Sequence, residues 1–218
     1  MNKLIIFDLD GTLIDTLDDL RNAVNFALSK KGYPLRTREQ IRCVLGSGIN
    51  KTLEKSLPGG INNPDYSEIL KCFRDYYDKN YKVATMPYPG VKNTVIKLKE
   101  DGYLVAVCTN KIQYVAEELI HDFFGDIFDF IQGDMPGIQK KPHPDMITRT
   151  LKELNVLRKN AIYVGDTNID EQTARNSSLD YVIVSYGFRT KEELRIQTPT
   201  AKVVDTQSEL YEYLKGRI

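Results

Sequence analysis

Leu4, Ile5, Ile6 and Phe7 form an unbroken apolar run that stops at once in Asp8-Leu9-Asp10-Gly11-Thr12. A strand with one wet face alternates apolar and polar residues. A run without alternation is covered on both faces, as in a parallel sheet layered by helices. Runs of the same kind recur at 103–108 (YLVAVC), 127–132 (IFDFIQ), 161–165 (AIYVG) and 181–184 (YVIV), separated by stretches of helical periodicity, and Val203-Val204 can add an edge strand. Strands alternating with helices predict an α/β fold with a doubly wound, Rossmann-like parallel sheet.

Residues 17–84 break that rhythm. Leu17, Leu20, Val24, Ala27 and Leu28 recur at helical spacing, further helical segments cover about 37–45 and 49–57, and an aromatic stripe runs from Tyr66 through Phe73, Tyr76 and Tyr77 to Tyr81. Such a stripe is read as helix-packing core. The texture changes again at Met86-Pro87-Tyr88-Pro89-Gly90. The first strand must join the later ones across this block, so the expectation is an α/β core of 1–16 and 85–218 with an all-helical domain, 17–84, inserted into it.

The end of the first run carries the chemistry. If the backbone stays extended through Leu9, the side chains of Asp8 and Asp10 leave on the same side. Gly11 permits a tight turn, and Thr12 returns a hydroxyl and an N–H toward the acids. Two carboxylates in one small space repel unless a cation lies between them, and a hard, oxygen-liganded ion such as Mg²⁺ meets that need. Asp8 can then act as nucleophile while Asp10 carries protons.

The stretch from Asp8 to Thr16, D-x-D-G-T-L-x-D-T, resembles the haloacid dehalogenase-like hydrolase superfamily, and within it the phosphoglycolate-phosphatase-like branch. The resemblance extends over nearly the whole chain. It implies a Mg²⁺-dependent phosphatase working through an aspartyl-phosphate on Asp8, with the helical insert as a cap that closes over the site. With an acid at Asp10, water can be activated and hydrolysis is expected.

Ligands of open α/β sheets bind beyond the carboxyl ends of the strands. There, Thr109-Asn110-Lys111 offers a hydroxyl and donors for a phosphate oxygen, and the resemblance assigns Thr109 to phosphate binding. In Lys140-Lys141-Pro142-His143-Pro144, Lys141 matches the superfamily lysine that balances phosphoryl and carboxylate charge; Lys140 is a solvated charge or exchanges roles with it, and His143 is a helix-start residue or a candidate acid–base. Gly11, Thr12, Thr109, Asn110 and Lys141 are thus the candidate phosphate-binding residues. Asp166 matches the metal-binding acid, so the candidate metal ligands are Asp8, Asp10 and Asp166. Asp170 has three open roles: holding a metal-bound water, pairing with Lys141, or complementing a helix dipole. Ser177-Ser178 departs from the Ala-Gly pair that usually ends this helix, which implies a strained cap. In the insert, Gly46-Ser47-Gly48 and Lys51 at a helix start suit an anionic substrate group, or are a flexible turn and a solvated lysine.

Thirty basic and thirty acidic residues among 218 cancel, which argues against a broad footprint for nucleic acid or anionic membrane and for a small phosphorylated metabolite as partner. The four apolar residues before Asp8 are too short for a signal peptide and no 18-residue apolar run occurs, so a soluble, cytoplasmic protein is expected. Cys43, Cys72 and Cys108 are odd in number and widely spaced, unlike a zinc site or disulfide framework. Other readings of the same residues are a sugar-phosphate mutase, a nucleotidase or pyrophosphatase, or a phospho-accepting signalling switch of receiver type. The substrate's identity and the oligomeric state are not encoded in these motifs.

Overall fold

The computed structural model describes residues 3–217, and the chain divides into two compact units, one running to Ile14 and resuming at Pro87, the other Asp15–Met86. In chain order the elements begin with β1 (Leu4–Phe7), β2 (Ile14–Asp15), α1 (Leu17–Ser29), α2 (Arg38–Arg42), α3 (Ile49–Ser56), α4 (Tyr66–Asn80) and β3 (Met86–Pro87). They continue with α5 (Val91–Glu100), β4 (Leu104–Ile112), α6 (Gln113–Phe124), β5 (Phe130–Asp134), α7 (Asp145–Glu153) and β6 (Ala161–Gly165). The last are α8 (Asn168–Asn176), β7 (Asp180–Val184), α9 (Lys191–Gln197), β8 (Val203–Val204) and α10 (Gln207–Leu214).

The first unit is a six-stranded sheet of order β5-β4-β1-β6-β7-β8, parallel throughout. β1 lies inside it because all four of its residues are apolar and fully buried. Ile6 sits level with Ala106 on one side and Tyr163 on the other. Leu4 and Ile6 join Cys108, Tyr163, and Met146 and Ile147 of α7 in one cluster, while Phe7 meets Phe128 edge-on at 6.3 Å. Each such side chain contributes about 1.5–3 kcal/mol by leaving water. Because neighbouring strands are parallel, their carboxyl ends, with Asp8, Thr109 and Asp166, come out together.

β4 differs from the expected strand. It does not stop at Cys108 but includes Thr109, Asn110 and Lys111, all buried, and its register with β5 shifts between Cys108 and Ile112. Polar residues expected beyond the strand's end are strand here because hydrogen-bond partners satisfy them. β5 starts at Phe130 rather than 127, and α9 stands between the runs at 181–184 and 203–204, where no helix is expected.

The second unit is helical. α1 buries Leu20, Ala23, Val24 and Ala27, α4 buries Ile69, Phe73 and Tyr77, and Phe26 stacks on Tyr76 at 4.2 Å. Thr37 starts α2 with a capping box shared with Gln40. Buried Asp19 closes the unit: its carboxylate accepts from the N–H groups of Ala84 and Thr85 and from the Thr85 hydroxyl. Among the described residues no helix is long and apolar enough to cross a membrane.

Candidate active site

At the end of β1 the Asp8 N–H donates to Val164 C=O at 2.8 Å, which continues the ladder by one residue and brings the Asp8 side chain to the rim of the sheet. Its Oδ1 accepts from the Leu9 N–H at 2.7 Å and from Lys141 Nζ at 2.8 Å. Gly11 then turns with φ +88°, and a Cβ there would overlap the Asp166 carboxylate. This acid needs the missing side chain. Thr12, fully buried, donates its hydroxyl to Asp166 Oδ1 at 3.2 Å.

Asp166 follows β6. Its Oδ2 accepts from the Phe188 N–H at 2.7 Å, in a loop that approaches only because residue 187 is glycine: a Cβ there would overlap the Gly11 carbonyl and lie 2.5 Å from Asp166 Cβ. Asp170, in the first turn of α8, is fully buried and saturated with donors. Oδ1 takes Lys141 Nζ at 2.8 Å and lies 3.3 Å from the Tyr163 hydroxyl oxygen; Oδ2 takes the Asp166 and Thr167 N–H groups and the Thr167 hydroxyl. Of its three open roles, two are seen: Asp170 pairs with Lys141, and as an acid in the first turn of α8 it accepts from the Thr167 N–H in a capping box.

Lys141 is the hub. Its three N–H donors reach Asp8, Asp170 and, at 2.9 Å, the Tyr163 hydroxyl, which itself donates to Cys108 C=O. The loop that carries it is tied to β4, since Asn110 Oδ1 accepts from the Lys141 N–H at 2.9 Å and Asn110 Nδ2 donates to its C=O at 3.1 Å. The side chain expected to donate to phosphate therefore positions the lysine. Thr109 is buried and its hydroxyl accepts from the Lys111 N–H. Lys140 pairs with Asp134 at a half-exposed position, and His143 with Asp145.

Of three buried acids, Lys141 faces Asp8 and Asp170, and the charge of buried Arg189 acts on Asp166. Burial pushes Asp8 up to about 7 against the pull of Lys141, with Asp170 and Asp10 adding to the rise. Burial, then the charges of Asp170 and Asp8, pushes Asp166 well above the carboxylate range. Burial would raise Asp170 too, but the charge and hydrogen bond of Lys141 and the donors of Thr167 outweigh it and hold it low. Burial alone would pull Lys141 down; Asp170 and Asp8 reverse that. The site thus holds more potential negative charge than its lysine balances, and a cation would relieve the excess.

Carboxylate oxygens of Asp8, Asp166 and Asp170 lie within 4.8 Å of one another, a hard donor set suited to a divalent ion. Because Asp170 is saturated by protein donors, Asp8 and Asp166 are the two that fit as ligands. The Asp10 carboxylate, expected among the ligands, stands outside this group: Lys111 Nζ holds its Oδ1 at 2.9 Å. Lys111, expected with Thr109 and Asn110 as a donor to phosphate, is on Asp10 instead, and Tyr163, Gly187 and Phe188 are site residues that no motif marks. Phe188 acts through its main chain, which leaves no signature in the sequence.

Gly46, Ser47, Gly48 and Lys51 belong to the helical unit. Gly46 and Gly48 have φ of +111° and +84°, Gly48 caps α3, and Lys51 Nζ pairs with Glu54 at 2.8 Å. Cys108 is buried beside Asp8 and Lys141, and burial pushes its thiol up to about 12, which makes it inert.

The sequence model of the haloacid dehalogenase-like hydrolase family matches residues 5–184. Phosphoglycolate phosphatase of Psychrobacter arcticus is 35% identical over 97% of this chain and 95% of its own. A candidate phosphoglycolate phosphatase from Lactobacillus delbrueckii subsp. bulgaricus, known from its crystal structure, is 32% identical with TM-score 0.92, covering 98% of this chain and 99% of that one. CbbY from Rhodobacter sphaeroides, solved in complex with phosphate, is 25% identical with TM-score 0.78, covering 96% of each chain. With its sheet order, its acid cluster at the end of β1 and these similarities, the chain is an enzyme belonging to the haloacid dehalogenase-like hydrolase family.

Proposed function

We propose that the chain is a Mg²⁺-dependent phosphomonoester hydrolase that works through an aspartyl-phosphate on Asp8, with a small phosphorylated acid of the phosphoglycolate type as substrate. The observation that carries this is the Asp8 carboxylate, buried at a strand end with Lys141 on one oxygen and Asp166 close by. Asp8 and Asp166 would hold the Mg²⁺, which supplies charge neutralisation for the acids and for phosphoryl oxygens. Asp8 attacks phosphorus in line as the ester P–O bond breaks, and the leaving oxygen takes a proton from Asp10. Asp10 then takes a proton from water as that water attacks the same phosphorus, the Asp8–phosphorus linkage breaks, and inorganic phosphate leaves.

Lys141 keeps Asp8 aimed and balances its charge, and Asn110, Asp170 and Tyr163 keep Lys141 in place. Thr12, Thr109 and main-chain N–H groups around Gly11 are the donors proposed for the phosphoryl oxygens. The substrate class rests on the names of the most similar relatives and on the suitability of the Gly46-Ser47-Gly48 turn and Lys51 for a carboxylate. Hydrolysis of 2-phosphoglycolate and of an aryl phosphate should need Mg²⁺ and vanish in Asp8→Asn, and acetyl phosphate should be turned over many times. A single long-lived phosphoryl group per chain would instead support a switch, and transfer to a second hydroxyl of a sugar phosphate would support a mutase.

A further inference from the structure

We infer that Lys111 is the positioning residue for the proton-carrying carboxylate of Asp10; this rests on the phosphatase reading above. The two aspartates at the end of β1 are served by different lysines. Lys141 holds Asp8, while Lys111 Nζ reaches Asp10 Oδ1 at 2.9 Å. The Lys111 side chain is only 5% exposed. Lysine is almost never buried so deeply without a partner, because dehydrating an ammonium is costly. Asp10 is that partner, and its own side chain remains 22% exposed.

The placement of Lys111 follows from an irregularity. β4 continues past Cys108 with its register against β5 shifted, and the Lys111 N–H turns back to the Thr109 hydroxyl. The same residues that present Thr109 therefore present Lys111 to Asp10. Holding Oδ1 restricts rotation of the carboxylate and assigns proton transfer to Oδ2. In the first half-reaction Oδ2 delivers the proton to the departing ester oxygen; in the second it receives one from the attacking water. A carboxylate misplaced by about 1 Å can lose on the order of 10²-fold in rate.

The dependence on the leaving group tests this. An alkoxide needs the Asp10 proton, whereas 2,4-dinitrophenolate does not. In Lys111→Met, kcat on 2-phosphoglycolate should fall about 10–100-fold. With 2,4-dinitrophenyl phosphate the same variant should release one equivalent of dinitrophenolate at near the wild-type rate and then turn over slowly, because only the water step still needs Asp10. Lys111→Arg, which keeps a cation on Oδ1, should recover part of the loss, and Asp10→Asn should show the same pattern more strongly. Thermal unfolding identifies a variant that fails to fold, in which case Lys111→Gln replaces Lys111→Met. If Asp10→Asn lacks the leaving-group pattern, the reading of Asp10 itself is wrong. If Asp10→Asn has it but folded Lys111→Met loses equally on both substrates, or loses only KM for the carboxylate-bearing one, the positioning role is overturned.

Discussion

Asn110 and Lys141 are joined twice: the asparagine side chain accepts from the lysine N–H at 2.9 Å and donates to its C=O at 3.1 Å, with both residues buried. The end of β4 and the loop that carries Lys141 are thereby held as one piece. Asn110→Ala would leave two buried main-chain groups unpaired, at a cost of about 1–3 kcal/mol. Because the Lys141 loop would shift, kcat/KM should also fall about tenfold. Thermal unfolding and steady-state kinetics on one preparation check both; a lower Tm with unchanged kinetics would make the link purely structural.

Gly187 and Phe188 predict a metal effect away from the ligands. Gly187→Ala puts a methyl group into the Gly11 carbonyl and beside Asp166, so Asp166 must move. The Mg²⁺ concentration that gives half-maximal activity should rise about 10–100-fold, the range for residues that orient a ligand. Asp166→Ala should weaken Mg²⁺ binding further, as titration calorimetry can measure.

Most of the sheet is readable in sequence because the strands are apolar runs of ordinary length, and β1 and β6 stand where the runs predict. Thr109, Asn110 and Lys111 are expected just past the strand because polar residues follow an apolar run, yet each has a hydrogen-bond partner and the strand continues through them. Tyr163 reads as core from its place in AIYVG; its phenol is also the third acceptor for Lys141. The spacing of Asp10 to Asp8 predicts two acids at one strand end, and it carries no sign of Lys111, 101 residues away, on Asp10 Oδ1.

The acids predict a pH dependence for the metal-free protein. The folded pKa of Asp8, about 7, lies above the ordinary carboxylate value, and Asp166 is raised in the same direction. Such groups favour the folded state fully at low pH and lose that contribution as pH rises from about 4 to about 7, because the unfolded chain ionises first. Asp170, held low, acts oppositely, losing its contribution as pH falls. Since Mg²⁺ competes with the protons on Asp8 and Asp166, the gain in Tm on adding Mg²⁺ should be larger at about pH 7.5 than at about pH 5. In Asp8→Asn the difference between the two pH values should shrink. Calorimetry with and without chelator measures it.

Ser178 ends α8 with φ +53°, a left-handed conformation unfavourable for any residue with a Cβ, and the Ser177 hydroxyl beside it is buried without a hydrogen-bond partner. Here the strain expected at Ser177-Ser178 is located. Ser178→Gly should add about 1 kcal/mol, or about 2–4 °C in Tm, with kinetics unchanged. Ser177→Ala should also stabilise, by a smaller amount.

The central place of β1 has a consequence for how the molecule is made. On the ribosome the strand bearing Asp8 emerges early, yet its neighbours in the sheet begin at Leu104 and Ala161. Until Leu104 and its neighbours are made this apolar segment has two open edges, and one edge stays open until Ala161–Gly165 follows, at the scale of seconds per hundred residues. The helical unit, whose partners are close in sequence, is free to fold in the meantime. Slowing translation between 87 and 160 should therefore expose the nascent enzyme to aggregation more than slowing it after β6, and a chaperone that masks short apolar strands should matter most in that interval.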